Sequence, residues 1–115
     1  MNSILDTIKD SVNVPLDEDC FDHQICTAIN AVFFKLNQIG LDIDTSLEIT
    51  DNSVTWQTAF PKYIELIPAI KTFVRDTVRL EFDPPTSSFA VQAIDSRIKE
   101  ALWRLNTYVD NQKGV

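Results

Sequence analysis

The chain has 115 residues, enough for one domain whose core buries roughly two-thirds of the unfolded surface without metal or disulfide support. Two glycines, 44% hydrophobic residues and repeats of helical period predict an all-α fold and argue against a loop-rich β architecture. A net charge of −7 argues against tight nucleic-acid binding, and no apolar run is long enough to span a bilayer, so a soluble chain made in the cytoplasm is expected.

The charge is unevenly spread. Residues 1–51 hold ten acids against Lys9 and Lys35, a net of −8, whereas residues 52–115 hold seven acids and eight bases, a net of +1. Ser3 with Asp6 three residues later resembles a capping box and opens a short helix through about Ser11, with Ile4, Leu5, Ile8 and Val12 on its apolar side. Pro15 stops that helix. The run Asp17-Glu18-Asp19 then falls at the start of a second helix, about Asp19 to Ile39, where negative charge offsets the N-terminal dipole. Phe21, Ile25, Ala28, Ile29, Val32, Leu36 and Ile39 form its stripe, and Gly40 ends it. Phe34 lies off the stripe with His23, Thr27 and Asn30, either covered by the next loop or offered to a partner.

Cys20-x-x-His23-x-x-Cys26 invites a zinc reading, but a helix rotates the three side chains apart and the chain holds no further Cys or His, so no metal is expected. The thiols should be free. From Leu41 to Phe60 the pattern is weaker: Leu41, Ile43, Leu47 and Ile49 alternate with polar residues, which predicts a short extended segment or small hairpin. Trp56 and Phe60, four apart before Pro61, predict one helical turn over the core. With no basic residue beside it in the sequence, Trp56 reads as a core plug rather than a stacking aromatic for nucleic acid.

The main feature is a helical hairpin. A helix from about Ile67 to Phe82 carries Ile70, Phe73, Val74, Thr77 and Val78 on one face, and Pro84 and Pro85 force its end. Thr86, Ser87 or Ser88 can cap the next helix, whose stripe is Val91, Ile94, Ile98, Ala101, Leu105 and Tyr108, widened by Ala90, Leu102 and Val109. So short a link makes the two helices antiparallel neighbours. Lys71, Arg75 and Arg79 form a basic stripe on the first, either a solvated flank paired locally with Asp76 or a contact for an acidic neighbour. On the second, the pairs Asp95 with Lys99 and Glu100 with Arg104 mark the solvent side, and Trp103 among them is a candidate subunit contact. The expected organisation is a single domain over 1–110 and a flexible polar tail over 111–115.

The segments Val78-Arg79-Leu80-Glu81-Phe82-Asp83-Pro84-Pro85-Thr86-Ser87-Ser88-Phe89 and Ile98-Lys99-Glu100-Ala101-Leu102-Trp103-Arg104-Leu105-Asn106 resemble the C-terminal half of small tailed-phage head-tail connector (adaptor) proteins. Similar features lie upstream in Asn30-Ala31-Val32-Phe33, Leu36-Asn37-Gln38-Ile39-Gly40 and Ile49-Thr50-Asp51 with Trp56. The resemblance implies a structural subunit that forms a ring beneath the portal, a dodecamer in the virion, which joins the head to a tail or stopper protein and leaves a channel for DNA. It implies residence at the head-tail junction, after assembly in the host cytoplasm. Phe34, Lys71, Arg75, Arg79, Trp103, Asn111, Gln112 and Lys113 are the candidates for the subunit or portal interface.

No phosphate loop, dinucleotide turn or nucleophile with a plausible base besides His23 is present, so neither an enzyme nor a cofactor is expected. The alternative to a connector is a small helical regulatory or interaction module, a monomer or dimer whose hairpin groove binds a partner helix.

Overall fold

The computed structural model describes residues 3–44 and 46–113. Among them lie five α-helices and no strand: α1 (Ile4–Ser11), α2 (Asp22–Gln38), α3 (Trp56–Ala59), α4 (Ile67–Phe82) and α5 (Ser88–Lys113), with a 3-10 turn over Pro61–Leu66 ahead of α4. The fold is all-α. α4 is its centre and packs on α5, α2, α1 and α3.

The N-terminal cap forms as the sequence indicates. The Ser3 hydroxyl accepts from the Asp6 N–H at 3.3 Å, and Ile4, Leu5, Ile8 and Val12 are buried. After α1 the chain turns at Asn13, whose φ of 64° is one that Asn tolerates better than most residues. Its carboxamide donates to Asp83 at 3.3 Å, tying the exit of α1 to the exit of α4.

α2 begins at Asp22, three residues later than the sequence pattern suggests. The reason is Lys9. Its side chain is 2% exposed, and its ammonium donates to the carbonyls of Leu16 (3.2 Å) and Glu18 (2.6 Å) and pairs with Asp22 at 2.8 Å. This holds residues 15–21 in turns across the end of α1, so Asp17-Glu18-Asp19 stands ahead of the helix and Asp22 is the acid in its first turn. Phe21 consequently leaves the expected core stripe and sits 43% exposed, edge-on to Phe82 with ring centroids 5.6 Å apart. Ile25, Ile29, Val32 and Leu36 are buried as expected, joined by Cys26 and Phe33.

The segment 41–55 shows how an alternating pattern can exist without a sheet. Leu41, Ile43 and Ile49 are buried while Asp42, Asp44 and Glu48 face solvent, yet no hairpin forms. Two side chains of α2 take the place of a partner strand: the Asn30 carboxamide accepts from the Ile49 N–H (2.8 Å) and donates to the Ile49 carbonyl (3.1 Å), and Asn37 accepts from the Ile43 N–H (3.2 Å). Asp44 and Asp51 each close a local turn by accepting from Ser46 and Ser53 two residues on. The only β pairing among the described residues is an isolated bridge between Ser3 and Thr55.

Trp56 and Phe60 stack at 6.3 Å and are both 1% exposed, closing the core over α1. The Trp56 indole N–H donates to the Thr7 hydroxyl at 3.2 Å. Lys71 reaches this ring from α4, its ammonium 5.7 Å from the centroid, so the basic neighbour missing from the sequence context arrives through the fold.

The hairpin is as the sequence implies. α4 ends at Phe82 with Asp83 as its cap, the two prolines cross over, and the Ser87 hydroxyl accepts from the Ala90 N–H at 3.4 Å. Ala101, Leu105 and Val109 are buried in the core with α4, Ile98 and Leu102 are half-buried beside them, and Ile94 is buried outside that cluster. α5 runs through Lys113, so Asn111, Gln112 and Lys113 extend the last helix; Gly114 and Val115 lie outside the described residues.

Candidate functional site

The large apolar side chains that the fold leaves outside the core are Leu16, Phe21, Phe34, Ile64, Phe89 and Trp103. Phe34 is 63% exposed, and the loop that follows α2 leaves it open to solvent. Thr27, Ala28 and Ala31 of the same helix, with Phe21 just before it, join Phe82 of α4 in lining an open groove of about 720 Å³. Trp103 is 66% exposed on the outer side of α5, between the ion pairs Lys99–Asp95 (3.0 Å) and Arg104–Glu100 (2.9 Å). Phe89, 84% exposed, sits at the start of the same helix. Its spacing of two heptads from Trp103 puts it near the same outer line of α5, a signal not used in reading the sequence.

The basic stripe of α4 is divided by its surroundings. Lys71 lies over Trp56, whereas Arg75 and Arg79 are half-buried beside α1. Asp76, expected to pair locally with that stripe, is instead 2% exposed and binds Arg97 of α5 through both oxygens, at 3.0 and 3.3 Å. The physical reason is direction: Asp76 belongs to the buried side of α4, where Arg97 of the neighbouring helix reaches it. Burial of one partner makes this bidentate pair unlike the exposed pairs of the surface. Arg97 was not legible as a site residue, since nothing in its own helix signals the partner. Asn111 is exposed near the end of α5, and Gln112 and Lys113 follow it in the last turn of that helix.

The cysteine spacing gathers no metal set. Cys20 precedes α2 and is exposed, Cys26 is buried, and His23 faces solvent. Among the described residues the one candidate ligand group is Glu18, Asp19 and Cys20, with donor atoms within 4.8 Å of one another. Neither thiol is activated. A hydrogen bond to Glu18, with that carboxylate's charge, pushes the Cys20 pKa up, and desolvation pushes up that of Cys26. No described helix is long and apolar enough to cross a membrane.

The arrangement is therefore one of surfaces: exposed aromatics on α2 and α5, and an arginine cluster on the hairpin. Comparison with known proteins agrees with that emphasis. The sequence matches the family described as phage connector protein over residues 4–112. No curated protein and no solved structure gave a match. Matched along almost its whole length, from the first residue of α1 to the last turn of α5, the chain belongs to the phage connector protein family.

Proposed function

We propose that the chain is the repeating subunit of a ring that binds beneath the portal, joins it to a tail or stopper protein, and leaves a channel through which DNA passes without sequence-specific binding. Family membership supports a structural, non-enzymatic role in the virion. The observation that carries the finer reading is the exposure of Phe34, Phe89 and Trp103 on a chain whose own core is already closed. Aromatics of this size at the surface are the usual anchors of protein interfaces.

A closed ring needs a heterologous contact, in which one face of a subunit meets a different face of the next. The acidic N-terminal half and Arg75 with Arg79, the part of the basic stripe that is not over Trp56, would supply two such faces. Exposed ion pairs contribute about 0–1 kcal/mol each, so charge sets the register while Phe34 and Trp103 supply the adhesion. Surplus acid lining the channel would keep DNA from sticking. The C-terminal end, Asn111, Gln112 and Lys113 with the two residues after them, engages the portal rim, weakly in one copy and strongly in many.

Electron microscopy of the portal mixed with this protein tests the reading. Added ring density beneath the portal is expected, and its absence overturns the proposal. Deleting residues 111–115 should weaken attachment while leaving the thermal unfolding midpoint close to the parent's; normal attachment would remove the C-terminal end from the portal contact.

A further inference from the structure

Every arginine of the chain, Arg75, Arg79, Arg97 and Arg104, lines one of two adjoining depressions on the α4–α5 hairpin, and Arg97 borders both. In the first, of about 270 Å³, Arg104 is neutralised by Glu100 at 2.9 Å. In the second, of about 290 Å³, the buried Asp76 neutralises Arg97 and fixes its orientation. Arg75 and Arg79 are left over. Neither makes an ion pair among the described residues, and the Nε of Arg79 is buried without a hydrogen-bond partner. Asp10, on the α1 side of the depression, is the one further carboxylate in its lining. Three guanidiniums against two carboxylates leave a surplus positive charge in the depression, which an acidic group from outside would offset. A carboxylate offers two oxygens in the geometry a guanidinium fork requires.

We infer that this depression receives the acidic turn Asp17-Glu18-Asp19 of a second copy of the chain. The inference deepens the ring reading and rests on it. That turn is presented outward, with Asp17 and Asp19 exposed, and is held from beneath by Lys9 through the Leu16 and Glu18 carbonyls, so little order has to be gained on binding. The Glu18 carboxylate accepts from the Cys20 N–H at 3.0 Å, which leaves Asp17 and Asp19 as the groups available to the arginines.

The helix between donor and receptor gives the contact its direction. At about 100° per residue, Thr7, Asp10 and Ser11 share the side of α1 that borders the depression, while Lys9 projects from the opposite side into the acidic turn. One copy therefore carries the turn and the depression on opposite flanks of α1 and cannot join them itself. Successive copies can, head to tail, as a heterologous contact demands. Duplex DNA is the poorer occupant, because its phosphates would meet a chain of net −7.

Charge exchange tests this directly. In sedimentation at low salt with the portal present, Arg75→Glu with Arg79→Glu, and separately Asp17→Lys with Asp19→Lys, should each weaken association at least tenfold. Mixing the two variants should restore it, since every joint in an alternating ring then pairs opposite charges. Association of either variant at the parent's level, or a mixture no better than its components, overturns the inference. The lysine variant alters only an exposed turn, so it remains informative if the glutamate variant unfolds. A synthetic peptide of residues 14–21 added to the monomer separates this inference from the ring itself. A shift of the Arg79 Nε–H resonance supports the site even if the parent never forms rings, in which case only the ring reading fails. No shift, or capture of a labelled DNA duplex through Arg75 and Arg79 in place of the peptide, overturns the site alone.

Discussion

At Lys9 the chain buries a full positive charge to close a loop. The cost of removing that ammonium from water is offset by two carbonyls and Asp22, which is itself 31% exposed and so keeps part of its hydration. Replacing Lys9 by Met keeps the bulk and loses all three contacts. We expect a loss of about 2–4 kcal/mol in urea unfolding, at the lower side of a buried pair because Asp22 can rehydrate. A loss below about 1 kcal/mol would mean that the turns 15–21 hold without the lysine. Asn30 acts in the same way for the segment after α2: Asn30→Ala leaves both polar groups of Ile49 unpaired and should cost about 1–3 kcal/mol, with faster amide exchange at Ile49 as the local readout. Neither role is legible in the sequence. Lys9 reads as an ordinary cation in the last turn of α1 and Asn30 as part of a polar face, and only the tertiary path of the chain supplies their partners.

Among the elements, the hairpin was the most legible because three independent signals agree on it: the periodicity of α4, the pair of prolines, and the cap before α5. Leu105 lies at the centre of the α5 stripe and is 0% exposed, so Leu105→Ala should cost about 2–5 kcal/mol by lost burial and a cavity. Differential scanning calorimetry giving under about 1 kcal/mol would show that α4 and α5 close over the gap. The segment 41–55 was only half legible. Its alternation identifies which side chains are buried, but the absence of a partner strand depends on Asn30 and Asn37, which lie elsewhere in the chain. Hydrogen bonds from Ser46 and Ser53 hold the pKa values of Asp44 and Asp51 below the ordinary carboxylate value. A depressed pKa in the folded state contributes stability that is complete above the unfolded pKa and is lost as pH falls through the folded one. This segment should therefore loosen first on acidification, with amide exchange at Ser46 and Ser53 rising before that of α4. Simultaneous loss of protection in both would show that these turns do not titrate locally.

At the scale of the whole molecule, α5 has an apolar inner line and two large aromatics on its otherwise polar outer face. Its inner residues Ala101, Leu105 and Val109 are buried in the core with α4, while Phe89 and Trp103, about four turns apart on the outer face, touch solvent within a single copy. The fold of a single chain makes no use of Phe89 and Trp103, whereas the ring proposed above would. The two sides can be separated by experiment. Trp103→Ser should leave the unfolding free energy of the monomer within about 0.5 kcal/mol of the parent, as expected for an exposed position away from caps and core. If Trp103 anchors a joint between copies, the same change should cost about 2 kcal/mol or more per contact, roughly a thirtyfold loss of affinity. In a closed ring each subunit takes part in two joints, so assembly should fail over a narrow range of protein concentration rather than fade gradually. A variant that unfolds more easily would assign Trp103 to the fold of the monomer. One that keeps its stability and assembles like the parent would leave the outer line of α5 without a role in the ring.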